Sequence, residues 1–279
     1  MNIENFILKS DEIEVEFIPE LGGRISSLKN KRTNKEWVWK NPNLIPKKVE
    51  NGKDYDNNWQ GGWEELFPND AVEKFSWGTG YDHGELWFKS WDLVDLGKDK
   101  AILEIKDLDS GASFIKSFKI QDNKFSCEYK GEVGFSDYFL FKLHLAIPLT
   151  DSLIITLEEK NIDKVDKNFG NILATKEHEK FLNPEKDSGL YDFAYIDVIG
   201  NEIILLDEER DQLKLTYDNN LFKYFWIFQS QGGWMEHNVV VLEPCTNGLK
   251  IISEAAKEGM SIKGPLELNT KFSVELSKL

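Results

Sequence analysis

Apolar and polar residues alternate with a period of two along much of the chain, as they do in β-strands with one buried face. Residues 12–17, for example, read Glu-Ile-Glu-Val-Glu-Phe. Similar short segments lie at residues 24–28, 36–39, 101–105, 113–120, 124–129, 202–206, 212–217, 224–228 and 271–276. A helical period is indicated only near residues 175–181. The pattern predicts an all-β protein of many short strands, which is typical of a sandwich or a barrel.

Residues 238–246 form the most unusual of the predicted strands. Three valines and a leucine, which predict a buried strand, lead directly into Glu243 and Pro244. A glutamate is rarely buried unless it is paired or functional. The proline is expected to end or kink the strand and to hold the carboxylate at its rim. The alternative is a structural glutamate satisfied by backbone N–H groups or by a lysine, and this strand alone favours that alternative.

A second unusual strand is predicted at residues 138–148, where His144 replaces an aliphatic residue within an apolar run. By alternation, its side chain faces the same way as those of Lys142 and Ala146. A histidine in this position could act as an acid or a base near pH 7. The alternative is a core histidine whose ring is satisfied by a backbone carbonyl, and the strand alone favours it.

Three predicted loops carry further candidate residues. Residues 41–59 contain two prolines, a glycine and repeated Asn and Asp without sustained periodicity, and they are predicted to form a long loop or lid. Residues 60–70 and 80–87 are glycine-flanked and rich in polar groups, so we expect loops that approach a ligand closely. His83 lies in the last of them. Taken alone, such a histidine is more often a surface or supporting residue than a catalytic one. We expect His178 and His237 to be surface residues.

The composition is that of a globular protein, with 41% hydrophobic and 13% aromatic residues among 279. Nine tryptophans are present, and several lie beside glycines and carboxylates. This placement suits a site where flat rings stack on a ligand, although core packing is the alternative for any one of them. No linker rich in Gly, Pro or Ser divides the chain, so one domain over residues 1–279 is predicted.

The formal net charge of −15 argues against nucleic acid as a partner, because phosphate backbones are bound by clustered Lys and Arg. With only Arg24, Arg32 and Arg210 available, a multi-arginine phosphate clamp cannot be assembled, and a neutral substrate fits better. The two cysteines suggest neither a disulfide framework nor a zinc site. The N-terminal residues lack the apolar stretch of a signal peptide, and no run reaches membrane-spanning length. We therefore expect a soluble cytoplasmic protein without a membrane partner.

Taken in order, five motifs resemble those of the aldose 1-epimerase, or galactose mutarotase-like, superfamily. They are Gly22-Gly23-Arg24-Ile25, residues 61–68 (Gly-Gly-Trp-Glu-Glu-Leu-Phe-Pro), residues 83–87 (His-Gly-Glu-Leu-Trp), His144 within a strand, and residues 242–246 (Leu-Glu-Pro-Cys-Thr). The ordered set covers nearly the whole chain and is fairly specific. The motifs are most similar to those of uncharacterised bacterial members.

The resemblance implies an antiparallel β-supersandwich with a sugar-binding groove on its concave sheet. It matches Glu243 to the catalytic base of the family, His144 to the general acid and His83 to a second, substrate-orienting histidine. It also matches Asp192 to a substrate-binding aspartate. Beside the resemblance, we expect Trp63 or Trp87 to stack on the sugar ring and Arg24 or Asp192 to bind its hydroxyls, with Glu64 as a further candidate for sugar binding.

The chemistry implied is the exchange of the α and β anomers of a neutral aldose. A base takes the proton of the C1 hydroxyl while an acid protonates the ring oxygen, and neither a metal nor another cofactor is required. Residues 61–65 replace the Asn-Arg pair of the well-studied galactose mutarotases, so the fold transfers better than the substrate. One alternative is a non-catalytic carbohydrate-binding protein of the same fold. Another, against the shortage of arginines, is a sugar-phosphate epimerase. The identity of the sugar stays open, as does the choice between a monomer and a weak dimer.

Overall fold

The computed structural model describes residues 3–151, 153–165 and 183–279, with side chains for all of these except residues 158–165 and 197–199. The helical period near residues 175–181 and His178 lie outside the described residues. Within the described ranges, strands dominate, accompanied by the six-residue helix α1 (Ile252–Lys257) and a single 3-10 turn at Asp56–Asn58. None of the helices described is long and apolar enough to cross a membrane.

The strands have the following bounds. They are β1 (Phe6–Lys9), β2 (Ile13–Ile18), β3 (Arg24–Asn30), β4 (Lys35–Glu36), β5 (Trp63–Leu66), β6 (Lys74–Phe75), β7 (Gly78–Thr79), β8 (Asp92–Leu96), β9 (Lys100–Ile105), β10 (Ser113–Gln121), β11 (Lys124–Val133), β12 (Tyr138–Phe139), β13 (Lys142–Pro148), β14 (Ile154–Val165), β15 (Leu190–Leu206), β16 (Asp211–Tyr217), β17 (Tyr224–Gln231), β18 (Asn238–Cys245), β19 (Ile262–Lys263) and β20 (Leu266–Lys278).

A large antiparallel sheet folds over on itself at the long strand β15. Residues 190–196 of β15 pair with β17, while residues 202–206 pair with β16. The first layer therefore has the strand order β1-β2-β3-β5-β13-β18-β17-β15, and the second continues as β15-β16-β20-β11-β10-β9-β8. This architecture confirms the predicted antiparallel β-supersandwich.

The alternation of side chains divides the central strands of the first layer into two faces. On β18, Val240 and Leu242 enter the apolar core between the layers, whereas Val241 joins a second, largely aromatic cluster on the outer face. On β13, Leu143 lies in the core while Ala146 lies in the outer cluster. The polar residues Lys142, His144 and Glu243 share the outer face with these aromatic residues, as the period of two predicts.

Two local predictions were wrong. The strand expected at residues 36–39 is limited to β4, Lys35–Glu36. Residues 60–70, expected to be a loop, contain β5, which is a central strand between β3 and β13. The two adjacent glutamates of β5 interrupt the alternation of apolar and polar residues that predicts a strand. In the folded protein each of them is paired with a cation. Glu64 lies 3.0 Å from the guanidinium of Arg24 on the outer face, and Glu65 lies 2.7 Å from the ammonium of Lys116 on the core face.

The pair of Lys116 and Glu65 generates a stability prediction. Lys116 is fully buried, and Glu65 also accepts a hydrogen bond from the hydroxyl of Tyr129 at 2.6 Å. Because Lys116→Met leaves a buried carboxylate without its cation, we expect the free energy of unfolding to fall by about 3–5 kcal/mol in urea titrations. The matched control is Lys119→Met, which changes an exposed lysine of the same strand.

The double variant Lys116→Met/Glu65→Gln removes both charges and keeps an oxygen that can accept the hydrogen bond of Tyr129. It is expected to regain most of the lost stability, since no unpaired charge is left buried. Equal urea midpoints for Lys116→Met and the wild type would contradict this account of how β5 is held in the sheet.

Candidate functional site

The outer face of the first layer carries a pocket with a polar side and an aromatic side. Strands β13 and β18 supply polar side chains, whereas the neighbouring strands β17 and β15 supply Phe228 and Phe193. The pocket contains about 530 Å³ of space, part of it open solvent. The lining residues are Tyr55, Asp56, Trp59, Asp70, His83, Lys142, His144, Phe193, Phe228, Trp234, Glu243 and Lys250.

Strand register brings the main candidates together. The pairing of Lys142 with Cys245 and of Leu145 with Leu242 places His144 opposite Glu243. The Nε2 atom of His144 lies 3.9 Å from Oε1 of Glu243. Both side chains are buried and open into the pocket. The structure therefore places a potential base and a potential acid side by side, with their polar atoms facing each other.

The other carboxylate oxygen of Glu243 contacts a buried lysine. The ammonium of Lys142 lies 2.5 Å from Oε2 of Glu243 and 2.6 Å from Oδ2 of Asp70, and it also lies 4.4 Å from the ring centre of Trp226. Burial alone would lower the pKa of Lys142, but Asp70 and Glu243 raise it above its ordinary value. Burial would likewise raise the pKa of Asp70, but Lys142 and His83 hold it well below its ordinary value. Both groups are therefore ionised at neutral pH.

Burial shifts the pKa values of Glu243 and His144 in opposite directions. It raises the pKa of Glu243 above its ordinary 4.5, and the nearby Lys142 opposes part of that rise. It lowers the pKa of His144 well below 6.5, and the positive charge of Lys142 lowers it further. A carboxyl group with a raised pKa is a stronger base when ionised, and an imidazolium with a lowered pKa is a stronger acid when protonated.

His83 is positioned by a tight backbone contact. Gly84, at φ +75°, approaches the carbonyl group of Phe67 so closely that a Cβ atom would clash with its oxygen. The backbone N–H of His83 donates to the carbonyl of Asp70 at 2.7 Å, and its Nδ1 lies 2.9 Å from Oδ1 of Asp82. Its Nε2 lies 3.8 Å from Oδ1 of Asp70. The histidine ring therefore stands at the pocket beside the carboxylate that pairs with Lys142.

Residues 41–59 contribute two aromatic side chains to the pocket. Apart from the 3-10 turn they contain no regular element, as predicted. The ring of Tyr55 stacks on His83, with centroids 3.9 Å apart and planes inclined by 11°. The hydroxyl of Tyr55 donates to Oε1 of Glu64 at 2.5 Å and lies 3.3 Å from Nδ1 of His144. Trp59 packs edge-on against His144 at 5.4 Å.

Two of the residues suggested for sugar binding have other roles. Trp63 lies in the core between the layers, where its Nε1–H donates to the carbonyl of Ala146 at 3.0 Å, so it cannot stack on a ligand in the pocket. Arg24 is buried outside the pocket lining. Its guanidinium donates to the carbonyl of Gly61 at 2.9 Å and pairs with Glu64, so its donors hold the protein itself together. Both assignments are corrected on these grounds.

Glu64 and Trp87 support the pocket from behind Tyr55. Glu64 accepts the hydrogen bond of Tyr55, and Trp87 packs edge-on against the tyrosine ring at 4.9 Å. Asp192 lies next to Phe193 on β15 and, by alternation, faces away from the pocket; one of its carboxylate oxygens accepts a hydrogen bond from the N–H of Phe193. Direct contacts of these three residues with a ligand are therefore not supported by their positions.

His237 is not a surface residue, contrary to the prediction. It is buried between the rings of Trp39 and Trp234, at centroid distances of 4.9 and 5.5 Å. Burial lowers its pKa. Its role is to support the aromatic side of the pocket, because Trp234 lines that side.

Several pocket residues were missed by the sequence analysis. Lys142 was placed on the same face as His144, and this could have marked it as a site residue. Asp70 and Tyr55 gave no comparable signal, since both lie in irregular segments whose partners are distant in the chain. Within the described residues, no group of three or more His, Cys, Asp or Glu side chains is arranged to hold a metal ion.

Known structures share this fold. The chain aligns with a galactose mutarotase-like protein from Clostridium acetobutylicum at 16% identity and a TM-score of 0.71, covering 100% of this chain and 96% of that one. It aligns with a galactose mutarotase related enzyme from Lactobacillus acidophilus at 14% identity and a TM-score of 0.68, covering 99% of this chain and 98% of that one. It aligns with an aldose epimerase homologue from C. elegans at 10% identity and a TM-score of 0.69, covering 100% of both chains. No protein-family model and no curated protein sequence matches the chain.

These likenesses establish the fold as that of galactose mutarotase-like proteins, which confirms the resemblance drawn from the sequence motifs. At such identities they do not transfer an activity, because one fold supports many functions. The function therefore depends on the residues of the pocket and not on the fold alone.

The lowered pKa of His144 generates a second stability prediction. Between pH 6.5 and the lower pKa of His144 in the folded protein, the unfolded chain takes up a proton at this histidine and the folded chain does not, so this residue reduces stability as the pH falls through that range. We expect His144→Gln to lack this loss. The difference between the free energies of unfolding of the two proteins should change by up to about 1.4 kcal/mol per pH unit below 6.5. Urea titrations at several pH values measure it, and parallel curves would contradict a buried neutral imidazole.

Proposed function

We propose that the protein is an aldose 1-epimerase acting on a neutral aldose. The observation that carries the proposal is the 3.9 Å distance between Oε1 of Glu243 and Nε2 of His144, two buried side chains on facing strands that line a pocket with one aromatic side. The reaction needs one proton acceptor and one proton donor at adjacent oxygens of a sugar. The two buried side chains supply this pair.

The reaction opens the sugar ring by two proton transfers and closes it again by their reversal. Oε1 of Glu243 takes the proton of the C1 hydroxyl, and the electron pair of that O–H bond forms the C1 carbonyl. The bond between C1 and the ring oxygen breaks, and its electron pair stays on the ring oxygen, which takes a proton from Nε2 of the His144 imidazolium. The open-chain aldehyde turns about the C1–C2 bond. Reversal of both proton transfers closes the ring as the other anomer and restores Glu243 and His144.

His83 and the aromatic side chains orient the sugar. Asp82 and the stacked ring of Tyr55 hold the imidazole of His83, whose Nε2 is directed towards the polar side of the pocket. Sugar rings present C–H groups to flat aromatic surfaces, and the half-buried rings of Trp234 and Phe228, with centroids 5.4 Å apart, provide such surfaces at the pocket.

The charges of the pocket favour a neutral substrate over a sugar phosphate. Its lining contains three carboxylates, Asp56, Asp70 and Glu243, against the two lysines Lys142 and Lys250. The ammonium of Lys142 already contacts two of the carboxylates, and that of Lys250 lies 3.6 Å from Asp70. Among the described residues of the lining there is no arginine to form the bidentate contacts that phosphate groups favour.

The base assignment is tested by Glu243→Gln. The amide cannot accept the C1 hydroxyl proton, so acceleration of anomer exchange should fall by ~10²–10⁴-fold. The measurement is NMR exchange between α and β anomers of glucose, galactose and other aldoses, with the exposed Glu258→Gln as the matched control. Binding of the best sugar, followed by tryptophan fluorescence, should persist in Glu243→Gln.

Full activity in Glu243→Gln would contradict the base assignment. If the wild type accelerates no aldose although sugars bind and quench its fluorescence, the alternative of a non-catalytic carbohydrate-binding protein is correct instead.

The pH dependence of kcat/KM tests the acid assignment. Activity needs Glu243 ionised and His144 protonated. The value of kcat/KM should therefore rise and then fall as the pH increases, because low pH protonates Glu243 and high pH deprotonates His144. The raised pKa of Glu243 and the lowered pKa of His144 narrow the pH range in which both conditions hold, and both limbs belong to the coupled pair. Rates are measured from pH 4 to 9 after subtraction of buffer catalysis. A profile that stays flat from pH 6.5 to 8 would contradict His144 as the acid.

A further inference from the structure

The structure points to Lys142 as a positioning residue for the proposed epimerase reaction, an inference that rests on the proposed function. We propose that its ammonium, held between Asp70 and Glu243, occupies Oε2 of Glu243 and leaves Oε1 as the single oxygen that accepts the proton of the sugar.

Geometry distinguishes the two oxygens of Glu243. Oε2 is 2.5 Å from the ammonium of Lys142, whereas Oε1 faces Nε2 of His144 at 3.9 Å. Lys142 is itself fixed by Asp70 at 2.6 Å and by the face of Trp226 at 4.4 Å. Because all four contacts are buried, they are weakly screened by water. The carboxylate is thereby held in one orientation across the strand pair β13–β18.

The Asp70 carboxylate tunes the strength of this interaction. A buried glutamate without a cation would take up a proton and cease to be a base. A lysine paired with that glutamate alone would stabilise the carboxylate strongly and make it a weak base. Here one positive charge is shared between two carboxylates. The arrangement keeps Glu243 ionised and still able to accept a proton.

The charged and titratable groups that face Glu243 come from several elements of the fold. They are Lys142 and His144 on β13, Cys245 on β18, Asp70 after β5, His83 in the loop before β8, Tyr55 in residues 41–59, and Lys250 after β18. Glu64 on β5 and Arg24 on β3 act on His144. Lys142 lowers the pKa of both Glu243 and His144, whereas Asp70 raises the pKa of both. A substitution of either residue therefore shifts Glu243 and His144 together, and the two substitutions shift them in opposite directions.

The test compares two single substitutions that should move the pH profile in opposite directions. In Lys142→Met, both limbs of kcat/KM against pH should shift upwards by about one unit or more, because a cation within 4–6 Å is lost. In Asp70→Asn, both limbs should shift downwards, because Lys142 then acts on Glu243 and His144 without an opposing charge. Lys142→Arg keeps the charge and should keep the wild-type limbs even where its maximal rate is lower.

A second measurement does not depend on turnover. The ¹³C resonance of the Glu243 side-chain carboxyl, assigned by its absence in Glu243→Gln, is titrated in the wild type, Lys142→Met and Asp70→Asn. We expect the midpoint to rise in the first variant and to fall in the second. Should Lys142→Met unfold, the double variant Lys142→Met/Asp70→Asn, which removes both charges together, replaces it and should show a midpoint above that of Asp70→Asn.

The outcomes separate the two proposals. Shifted carboxyl midpoints in a protein that exchanges no anomers would leave the Lys142 interaction standing and reject the epimerase. Anomer exchange whose pH profile and carboxyl midpoint are the same in the wild type, Lys142→Met and Asp70→Asn would uphold the epimerase and overturn the role of Lys142. A uniform loss of rate without a shift of either limb would also overturn it, because a purely structural residue gives that result.

Discussion

The buried charges at the centre of the first layer each lie next to a charge of opposite sign, and the strands there are arranged around that constraint. Lys142 on β13 contacts both Asp70 and Glu243, while Glu64 and Glu65 on β5 pair with Arg24 and Lys116. Each of these groups would change its ionisation or destabilise the fold if its partner were removed. The pairs thus hold three neighbouring strands, β5, β13 and β18, in a single arrangement.

The same constraint connects the stability of the fold with its chemistry. On β5, Glu65 faces the core and its partner Lys116 comes from the second layer, whereas Glu64 faces outwards and accepts a hydrogen bond from Tyr55. Adjacent residues of one strand therefore attach the second layer on one side and the pocket wall on the other. The polar side of the pocket lies over β13 and β18, and the aromatic side over β17 and β15. A bound sugar would thus have its reactive oxygens at one side and its C–H surface at the other.

Fold and site differ in how closely they depend on particular residues. The core between the layers needs apolar side chains of suitable volume at alternating positions, and many sequences satisfy this requirement. Structures with 10–16% identity can therefore share the whole architecture. The pocket, in contrast, depends on a few charged and aromatic side chains at fixed distances. The proposed activity rests on the positions of these side chains, including that of Lys142 between two carboxylates.

Short-range pattern was enough to identify most strands, and with them the shared face of Lys142 and His144 and the unusual position of Glu243, because alternation and burial are properties of consecutive residues. It could not reveal β5, whose glutamates resemble a loop until their cations are in place. Nor could it show that Tyr55 and Asp70 reach the pocket or that Trp63 and Arg24 do not. Those outcomes depend on pairing between residues far apart in the chain, which only the folded structure brings into contact.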